Sequence, residues 1–251
     1  MKETAPPMLS IIMPCRNEEK TVGLCLEEAG RMMREKGIKG EIIVVDNGSS
    51  DRSAQAVDDF CRNDPYLTEP GNSALSVRLI KEEAPGYGNA LKKGMREARG
   101  AVMIIGDSDT TYDFGEAAGI YDLLAKGEYD MVIGNRFKGS IEKGAMSFSH
   151  RIGVRILSFL ARLRFHTDVY DFHCGLRGLT AEAYERIGDG FCTEGMEFAT
   201  EMIAAAAGNG LRLGQIPVSL RTCRGDRRSK LRTVRDGFRH LGYIFIGIGK
   251  G

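Results

Sequence analysis

Short apolar runs rich in β-branched residues recur along the first half of this chain, and a longer stretch of helical character follows each run. This alternation is typical of a mostly parallel sheet, because parallel strands need crossover connections and helices supply them. The sequence therefore predicts an α/β fold, with one central sheet covered by helices on both faces. The five predicted strands are Leu9–Met13, Glu41–Asp46, Val77–Lys81, Ala101–Asp107 and Asp130–Asn135.

Capping residues and glycines place the helices between these runs. Asn17 precedes an amphipathic stretch that continues to Lys36, and the residues from Ser49 to Asp51 open a second helix. Beyond Lys138 the pattern changes, and further elements are predicted there. The elements predicted there are a basic amphipathic helix over Phe148–Phe165, a glycine-interrupted strand over Phe172–Leu179 and a helix over Thr193–Ala207, whereas Gly88–Arg99 is predicted as the third helix of the first half.

Length and composition favour one large α/β domain over residues 1–230, followed by a C-terminal extension over residues 231–251. The chain has 251 residues and is 42% hydrophobic, which is enough for a sizeable core. Its formal net charge of +1 gives no reason to expect a nucleic acid partner. The six cysteines show no zinc-type spacing, so reduced thiols in a cytoplasmic setting are expected.

The two ends of the chain bear on membrane association. The first eight residues are polar and lack the apolar centre of a signal peptide. The apolar segment Leu241–Gly251 is about half as long as a membrane-spanning helix. We interpret it as a packed helix or as the beginning of a membrane anchor.

Two carboxylates one residue apart, Asp107 and Asp109, follow the apolar run Ala101–Ile105 of the fourth predicted strand. In an extended chain such side chains point the same way and lie roughly 7 Å apart. They can therefore address one divalent cation and a diphosphate bound to it. Acidic residues also cap the helix that follows a strand, so the motif acquires its meaning from its surroundings.

Polar residues also lie at the carboxyl ends of the other predicted strands. In open parallel sheets, ligands bind outside the carboxyl ends of the strands. There, Asp46 could hydrogen-bond a nucleoside, and the planar guanidinium of Arg136 could grip a phosphate. The alternatives are an ordinary capped turn at Asp46 and a plain surface arginine at Arg136.

Three other motifs admit more than one interpretation. The motif Gly86-Tyr-Gly-Asn-Ala could let the backbone approach a ligand, but it lacks the spacing of dinucleotide-binding or P-loop sequences. A catalytic pair of His173 and Cys174 is disfavoured, because adjacent residues on a strand point to opposite faces. The basic run Arg227–Lys230 could close over a diphosphate, or it could be a solvated or membrane-facing loop.

Taken together, these motifs resemble the family 2 glycosyltransferases of GT-A fold, and among them the dolichol-phosphate-mannose-synthase-like branch that glycosylates polyprenyl phosphates. The resemblance extends from about Leu9 to Leu231. Its elements, in order, are Ser10-Ile-Ile-Met-Pro-Cys-Arg-Asn-Glu-Glu, Val44-Val-Asp-Asn-Gly-Ser-Ser-Asp, Gly86-Tyr-Gly-Asn-Ala, Asp107-Ser-Asp, Val132-Ile-Gly-Asn-Arg, Asp171 to Gly178, Glu197-Phe-Ala-Thr-Glu-Met and Arg228-Ser-Lys-Leu.

The resemblance implies a Rossmann-like nucleotide-binding half, an acceptor half and a set of site residues. It assigns Asp107, Asp109 and Arg136 to catalysis, and Asp107, Asp109 and Thr111 to a Mg²⁺ or Mn²⁺ ion. Arg136, Arg151 and Arg155 would contact the acceptor phosphate. The residues expected to bind the nucleotide sugar are Pro14, Arg16, Glu18, Val45, Asp46, Asp107, Ser108, Arg228 and Lys230. The chain departs from the usual pattern at Arg16, where tyrosine is frequent, at Asn47, where a second aspartate is common, and at Thr111, where glutamine or histidine is frequent.

The implied activity is metal-dependent, inverting transfer of a sugar from a UDP- or GDP-sugar to a polyprenyl phosphate, at the cytoplasmic face of a membrane. A phosphate acceptor is already ionised near neutral pH and needs no strong general base. A second hypothesis is transfer to a soluble or polymeric hydroxyl acceptor, with Asp171 or Glu201 as the base. A third is a nucleotide-binding regulator of the same fold without turnover.

Overall fold

The computed structural model describes residues 8–64, 67, 74–225 and 233–247. Within these residues, seven strands form one sheet in the order β3-β2-β1-β4-β6-β5-β7. The strands are β1 (Leu9–Cys15), β2 (Gly40–Asp46), β3 (Leu75–Lys81), β4 (Val102–Ile105), β5 (Met131–Asn135), β6 (Arg177–Thr180) and β7 (Leu213–Pro217).

The sheet is parallel except at one strand, which confirms the predicted α/β class. β1 lies between β2 and β4 and is parallel to both, while β6 runs antiparallel between β4 and β5. The strand predicted over Phe172–Leu179 is therefore shorter than expected, because only its last residues pair with neighbours. The preceding residues turn instead, and they carry Asp171 and Gly175 beneath the carboxyl ends of the other strands.

Eight helices within the described residues surround the sheet. They are α1 (Val22–Glu35), α2 (Ser53–Asn63), α3 (Tyr87–Glu97), α4 (Ala117–Ala125), α5 (Phe148–Phe165), α6 (Ala181–Ile187), α7 (Phe198–Gly208) and α8 (Thr233–Ile246). The predicted bounds of α5 are confirmed. The Ser147 hydroxyl caps its first turn, and His166 ends it in a left-handed conformation.

The helix predicted from Thr193 begins only at Phe198. Glu201, within this helix, accepts hydrogen bonds from the backbone N–H groups of Cys192 and Thr193 at 2.8 and 2.9 Å. These bonds hold residues 192–195 as a loop against the helix, which is why the helical pattern does not extend back to Thr193.

The core lies on both faces of β1 and β2, whose residues are buried almost without alternation. This pattern is expected for parallel strands that are covered by helices on both sides. Because the strands are buried, the accessible polar side chains near them lie in the loops after the strands. The fold therefore concentrates its chemistry at the carboxyl edge of the sheet.

Helix α8 packs against the rest of the fold through buried and partly buried side chains. Tyr243 contacts Phe165 of α5 with ring centroids 6.3 Å apart, and His240 is hydrogen-bonded to Thr200 of α7 at 2.8 Å. The predicted domain boundary at residues 230/231 lies outside the described residues. None of the helices in the described part of the chain combines the length and apolar character needed to cross a membrane.

Candidate active site

The loops after β1, β2 and β4 meet at one edge of the sheet. Cys15, the last residue of β1, pairs with Asp46, the last residue of β2. On the other side of β1, the Ser108 hydroxyl donates a hydrogen bond of 2.8 Å to the carbonyl oxygen of Pro14. Three of the residues predicted to bind a nucleotide, Pro14, Asp46 and Ser108, are therefore neighbours.

The loops after β1 and β2 are tied to each other by short polar contacts. The Asn17 side chain accepts a hydrogen bond of 2.7 Å from the backbone of Ser50, and the Ser49 hydroxyl accepts one of 3.0 Å from the backbone of Asn17. Asn17 and Gly48 both have positive φ angles, which lets the two loops turn sharply enough to meet. The edge beside Asp46 is thus preorganised.

Arg16 and Glu18 behave differently at this edge. Arg16 is exposed, whereas Glu18 is buried and its carboxylate accepts a hydrogen bond of 3.1 Å from Thr21.

The Val45 side chain is completely buried in the core, close to Gly94 of α3. A fully buried side chain offers no surface to a ligand, so Val45 would line the pocket through its backbone, and this contact stays a prediction.

Asn47 has a structural task that an aspartate could not perform. Its amide nitrogen donates to the carbonyl oxygens of Glu82 and Ala84 at 3.0 and 2.8 Å, and its amide oxygen accepts from the backbone of Gly86 at 2.8 Å. A carboxylate has no N–H to donate at neutral pH. The side chain that departs from the family pattern therefore holds the segment between β3 and α3.

The acidic pair lies in a turn and not in a strand, because β4 ends at Ile105. The extended geometry assumed for Asp107 and Asp109 is therefore wrong. Asp109 instead accepts hydrogen bonds from the backbone and hydroxyl of Thr111, at 3.1 and 2.5 Å, across Thr110, which has a φ of 65°. This turn brings Thr111, the third predicted metal ligand, directly beside Asp109.

Asp107 is surrounded by residues that the sequence did not single out as functional. The Tyr87 hydroxyl forms a hydrogen bond with Asp107, and burial together with this carboxylate raises the pKa of Tyr87 well above its usual value. Gly175 abuts the same carboxylate so closely that a β-carbon would collide with it. Tyr112 accepts a hydrogen bond of 2.8 Å from the backbone of Gly175. Tyrosines lie near many sequence motifs, so the sequence alone did not predict that Tyr87 and Tyr112 would lie around Asp107.

The glycines of the Gly86-Tyr-Gly motif serve contacts within the protein. A β-carbon at Gly86 or Gly88 would collide with the backbone of Glu194 or Thr193, in the loop before α7. The backbone of Gly88 donates a hydrogen bond of 2.8 Å to Glu194. The close approach predicted from these glycines is real, but the partner is another part of the chain.

Arg136 is not the open strand-end arginine that the sequence suggested. It is 6% exposed, and its guanidinium forms two hydrogen bonds with Asp171, which is fully buried. The Nε–Oδ2 distance is 2.8 Å and the Nη2–Oδ1 distance is 2.7 Å. Although burial alone would lower the pKa of Arg136, nearby Tyr112 and Asp171 raise it well above its usual value. This corrects its expected exposure, and a direct contact with acceptor phosphate stays a prediction.

The other predicted basic residues lie on α5 or beyond the described residues. Arg151 and Arg155 are exposed on α5, and the guanidinium of Arg155 lies 4.7 Å from the ring centroid of Phe137 in the loop after β5. Arg228 and Lys230 fall outside the described residues. Among the described residues, no cluster of three or more His, Cys, Asp or Glu side chains could hold a metal ion.

The predicted metal site is therefore small but chemically suited to Mg²⁺ or Mn²⁺. Asp107 and Asp109 are partly exposed and offer carboxylate oxygens beside the Thr111 hydroxyl. Mg²⁺ is usually held by one or two carboxylates together with substrate phosphates and water, without a complete cage of protein ligands. The donor set thus fits an ion whose coordination a bound diphosphate would complete.

Comparison with curated proteins finds relatives that are glycosyltransferases. The chain is 30% identical over 255 residues to the low-salt glycan biosynthesis hexosyltransferase Agl6 of Haloferax volcanii, with 98% of this chain and 57% of that protein covered. It is 26% identical over 227 residues to the dolichyl-phosphate beta-glucosyltransferase of Saccharomyces cerevisiae, with 84% of this chain and 66% of that protein covered. The chain thus spans little more than half of Agl6 and about two thirds of the yeast protein.

Solved structures share the fold. Glucosyl-3-phosphoglycerate synthase from Mycobacterium tuberculosis, in complex with Mn²⁺, UDP-glucose and phosphoglyceric acid, superposes with a TM-score of 0.72 at 18% identity. The superposition covers 98% of this chain and 82% of that one. The sheet and its helices are accordingly those of a GT-A fold. The family model described as Glycosyl transferase family 2 matches residues 10–188, and this chain therefore belongs to that family of glycosyltransferases.

Proposed function

We propose that this glycosyltransferase moves a sugar from a UDP- or GDP-sugar to a polyprenyl phosphate. The names of two relatives support the acceptor, because both are dolichyl-phosphate beta-glucosyltransferases, one from Saccharomyces cerevisiae and one from Dictyostelium discoideum. The donor class is supported by the mycobacterial structure with UDP-glucose. We place the protein at the cytoplasmic face of a membrane, where such a lipid would be reached.

The donor would bind at the carboxyl edge of β1, β2 and β4. Asp46 is held by the backbone of Ser49 at 3.0 Å and stands next to Pro14 and Ser108, as a nucleoside pocket requires. The diphosphate would extend toward Asp107 and Asp109. Arg228 and Lys230, outside the described residues, remain predicted contacts for its phosphates.

Asp107, Asp109 and Thr111 would hold Mg²⁺ or Mn²⁺ together with the donor diphosphate. When bound, the ion would act as a Lewis acid that offsets the negative charge on the departing diphosphate. The protein contributes fixed oxygen ligands, because the turn at Thr110 and the contact with Tyr87 set the directions of the two carboxylates.

The observation that most favours a phosphate acceptor is the state of the two candidate bases. Asp171 is fully buried, and both of its carboxylate oxygens bond to Arg136. Glu201 is 3% exposed and accepts hydrogen bonds from Cys192 and Thr193. A general base must reach the proton that it removes, and neither group is presented for that task. A phosphate oxygen needs no such base.

The proposed reaction is a single displacement. A phosphate oxygen of the lipid attacks the anomeric carbon, and the bond from that carbon to the diphosphate oxygen breaks with its electron pair. The products are a glycosyl phosphate diester and a nucleoside diphosphate, and the configuration at the anomeric carbon inverts. Exposed Arg151 and Arg155 would attract the acceptor phosphate, while buried Arg136 would position neighbouring groups through Asp171.

The test is an acceptor screen with matched donors. Purified protein is incubated with UDP-glucose or GDP-mannose, Mn²⁺ and one of three acceptors in detergent: a polyprenyl phosphate, the corresponding polyprenol or a free oligosaccharide. We expect transfer to the phosphate alone. Asp109→Asn should abolish transfer and leave the circular dichroism spectrum unchanged, whereas Lys126→Ala, on the exposed end of α4, should behave like wild type.

Two results would lead to the alternative functions. Transfer to the oligosaccharide but not to the lipid phosphate would support a hydroxyl acceptor and require a base other than buried Asp171. Nucleotide binding without transfer or donor hydrolysis under any condition would support the regulator. The departures at Asn47 and Thr111 no longer favour the regulator, since both side chains make specific contacts within the site.

A further inference from the structure

Helix α5 presents an apolar stripe to solvent. Five large side chains spaced three or four residues apart share one side of the helix, and between 43% and 80% of the surface of each residue is exposed. Soluble proteins scatter exposed apolar residues singly, whereas a contiguous stripe marks an interaction surface. The stripe consists of Phe148, Ile152, Ile156, Phe159 and Leu163.

The side of α5 that packs on the protein is distinct from this stripe. Val154, Ser158 and Ala161 are buried. At 100° per residue, they lie on the side of the helix opposite the stripe. Arg151, Arg155 and Arg162 fall between the buried side and the stripe. The helix therefore has three faces: one toward the core, one basic and one apolar.

A cavity of about 290 Å³ opens beside the basic face. It is lined by Lys138 and Phe137 from the loop after β5, by Arg155 and Arg162 from α5, and by exposed Tyr170. Lys138 and Arg162 both lie against the Tyr170 ring, at 5.6 and 3.7 Å from its centroid. This cavity offers three cationic side chains to an anion.

The charge of the surrounding segment has the same sign. Residues 137–170 contain six Lys or Arg residues and two acidic residues, whereas the rest of the chain contains more acidic than basic residues. The acidic Asp168 is 98% exposed at its side chain and lies 3.5 Å from Arg162. The positive charge is thus concentrated beside the apolar stripe.

We propose that this face of α5 docks onto an anionic phospholipid bilayer, with the apolar stripe entering the interfacial region and the cavity at Lys138 and Arg162 receiving a lipid phosphate. A helix with apolar side chains on one face and arginines beside them lies in the plane of a membrane interface and is favoured by anionic lipids. Charge complementarity selects this occupant over a second copy of the chain, which would bring an equally basic face.

This docking is independent of the proposed transfer, because it needs neither a donor sugar nor a polyprenyl phosphate. The experiment is sedimentation of the full 251-residue chain with vesicles of phosphatidylcholine alone or with phosphatidylglycerol added. We expect binding that rises with the fraction of phosphatidylglycerol and weakens in high salt. Failure of transfer with retained vesicle binding would overturn the proposed function and leave the docking face intact.

Two pairs of variants separate the apolar and the ionic contributions. The double variant Lys138→Gln/Arg162→Gln should lower the partition coefficient on anionic vesicles by roughly 30-fold, at about fivefold per cation. Ile156→Ser should lower it by roughly 10-fold. The controls are Lys126→Gln, just after α4, and Met8→Ser, just before β1, both of which are exposed and lie outside α5 and the cavity lining. Neither control should change binding.

Three outcomes would overturn the proposal. Vesicle binding could be absent, or it could be equal on neutral and anionic vesicles and insensitive to the charge variants. Alternatively, analytical ultracentrifugation could show that the chain is a dimer which Ile156→Ser converts to a monomer without altering vesicle binding. That last result would assign the stripe to contact between copies. Circular dichroism of each variant checks that these exposed substitutions leave the fold intact.

Discussion

Arg136 and Asp171, 35 positions apart in the chain, form a bidentate ion pair beneath the carboxyl edge of the sheet. The pair joins the end of β5 to the turn before β6, so it fixes the antiparallel strand relative to its parallel neighbours. Both residues are buried, and each is the principal ionic partner of the other in the structure. The side of the site that we propose for the acceptor is therefore supported by a buried charge pair.

Asp171→Asn should destabilise the protein strongly, because it leaves the buried guanidinium of Arg136 without a compensating charge. Removal of one partner of a buried pair costs about 3–5 kcal/mol. The matched control is Asp130→Asn, which breaks the more exposed pair with Arg212 and should cost about 1 kcal/mol or less. The measurement is the free energy of unfolding in urea. Equal losses for the two variants would contradict a special role for the buried pair.

Tyr87→Phe should weaken metal binding without unfolding the protein, because Tyr87 is hydrogen-bonded to Asp107, one of the proposed metal ligands. Loss of a hydrogen bond to a metal ligand typically lowers affinity about 10-fold to 100-fold. Calorimetric titration of Mn²⁺ in the presence of UDP or GDP measures this change. Tyr121→Phe, on the outer helix α4, serves as the control. Because the pKa of Tyr87 is raised, its hydroxyl should stay protonated at moderately alkaline pH. Ionisation of Tyr87 should therefore not change the Mn²⁺ affinity of the wild type there.

An unchanged Mn²⁺ affinity in Tyr87→Phe would show that Asp107 is oriented by other contacts, such as the adjacent Gly175. A similar loss in Tyr121→Phe would point to a general effect of removing a hydroxyl group. The Mn²⁺ affinity distinguishes a positioning role of Tyr87 from a packing role. Loss of packing alone would lower the unfolding temperature and leave the Mn²⁺ affinity of the folded protein unaltered.

Asn47→Asp should be destabilising even though the family pattern often has an aspartate there. The substitution removes the amide donor and turns a carboxylate toward the carbonyl oxygens of Glu82 and Ala84. Unmade hydrogen bonds of partly buried groups cost about 1–3 kcal/mol. Thermal unfolding monitored by circular dichroism measures the loss. Asn209→Asp, at an exposed helix end, should change stability much less.

A stabilising or neutral Asn47→Asp would mean that the segment between β3 and α3 rearranges to donate its own N–H groups. In that case, nucleotide affinity should be measured as well, since the same segment leads into the motif that carries Tyr87. A change in affinity without a change in stability would assign Asn47 to the ligand and not to the loop.

His240 should make the protein less stable in mild acid. Burial, aided by Arg177 and Arg239, lowers the pKa of His240 to about 4, and it is hydrogen-bonded to Thr200. Because the unfolded chain binds the proton near pH 6.5, stability is lost as the pH falls from 6.5 toward 4. His240→Gln should remove about 2 kcal/mol of the difference in unfolding free energy between pH 7 and pH 5. An identical pH dependence in this variant would exclude the histidine as its source.

The neighbouring His173 ring, with its centroid 4.4 Å from that of His240, provides a further comparison. Burial lowers the pKa of His173 well below its usual value, and the charge of His240 and nearby arginines would oppose its protonation further. The double variant His173→Gln/His240→Gln should therefore flatten the acid loss more than either single variant, as read from urea unfolding at the same two pH values.

The alternation of strands and helices, the bounds of α5 and the polar ends of β1, β2 and β4 could be predicted from the residues alone. These features follow from local hydrophobic period, helix capping and the burial of parallel strands, all of which are written in residues close together in the chain. The family motifs added the order of the elements. They were sufficient to predict the edge of the sheet where the site lies.

Which side chains at that edge are exposed, and which are engaged by partners, depends on the tertiary structure. It inserted β6 antiparallel between β4 and β5, paired Arg136 with Asp171, and placed the Tyr87 hydroxyl on Asp107. These contacts join residues about 20 or more positions apart, and the local period of a sequence carries no information about such pairings, because they depend on how separate elements pack.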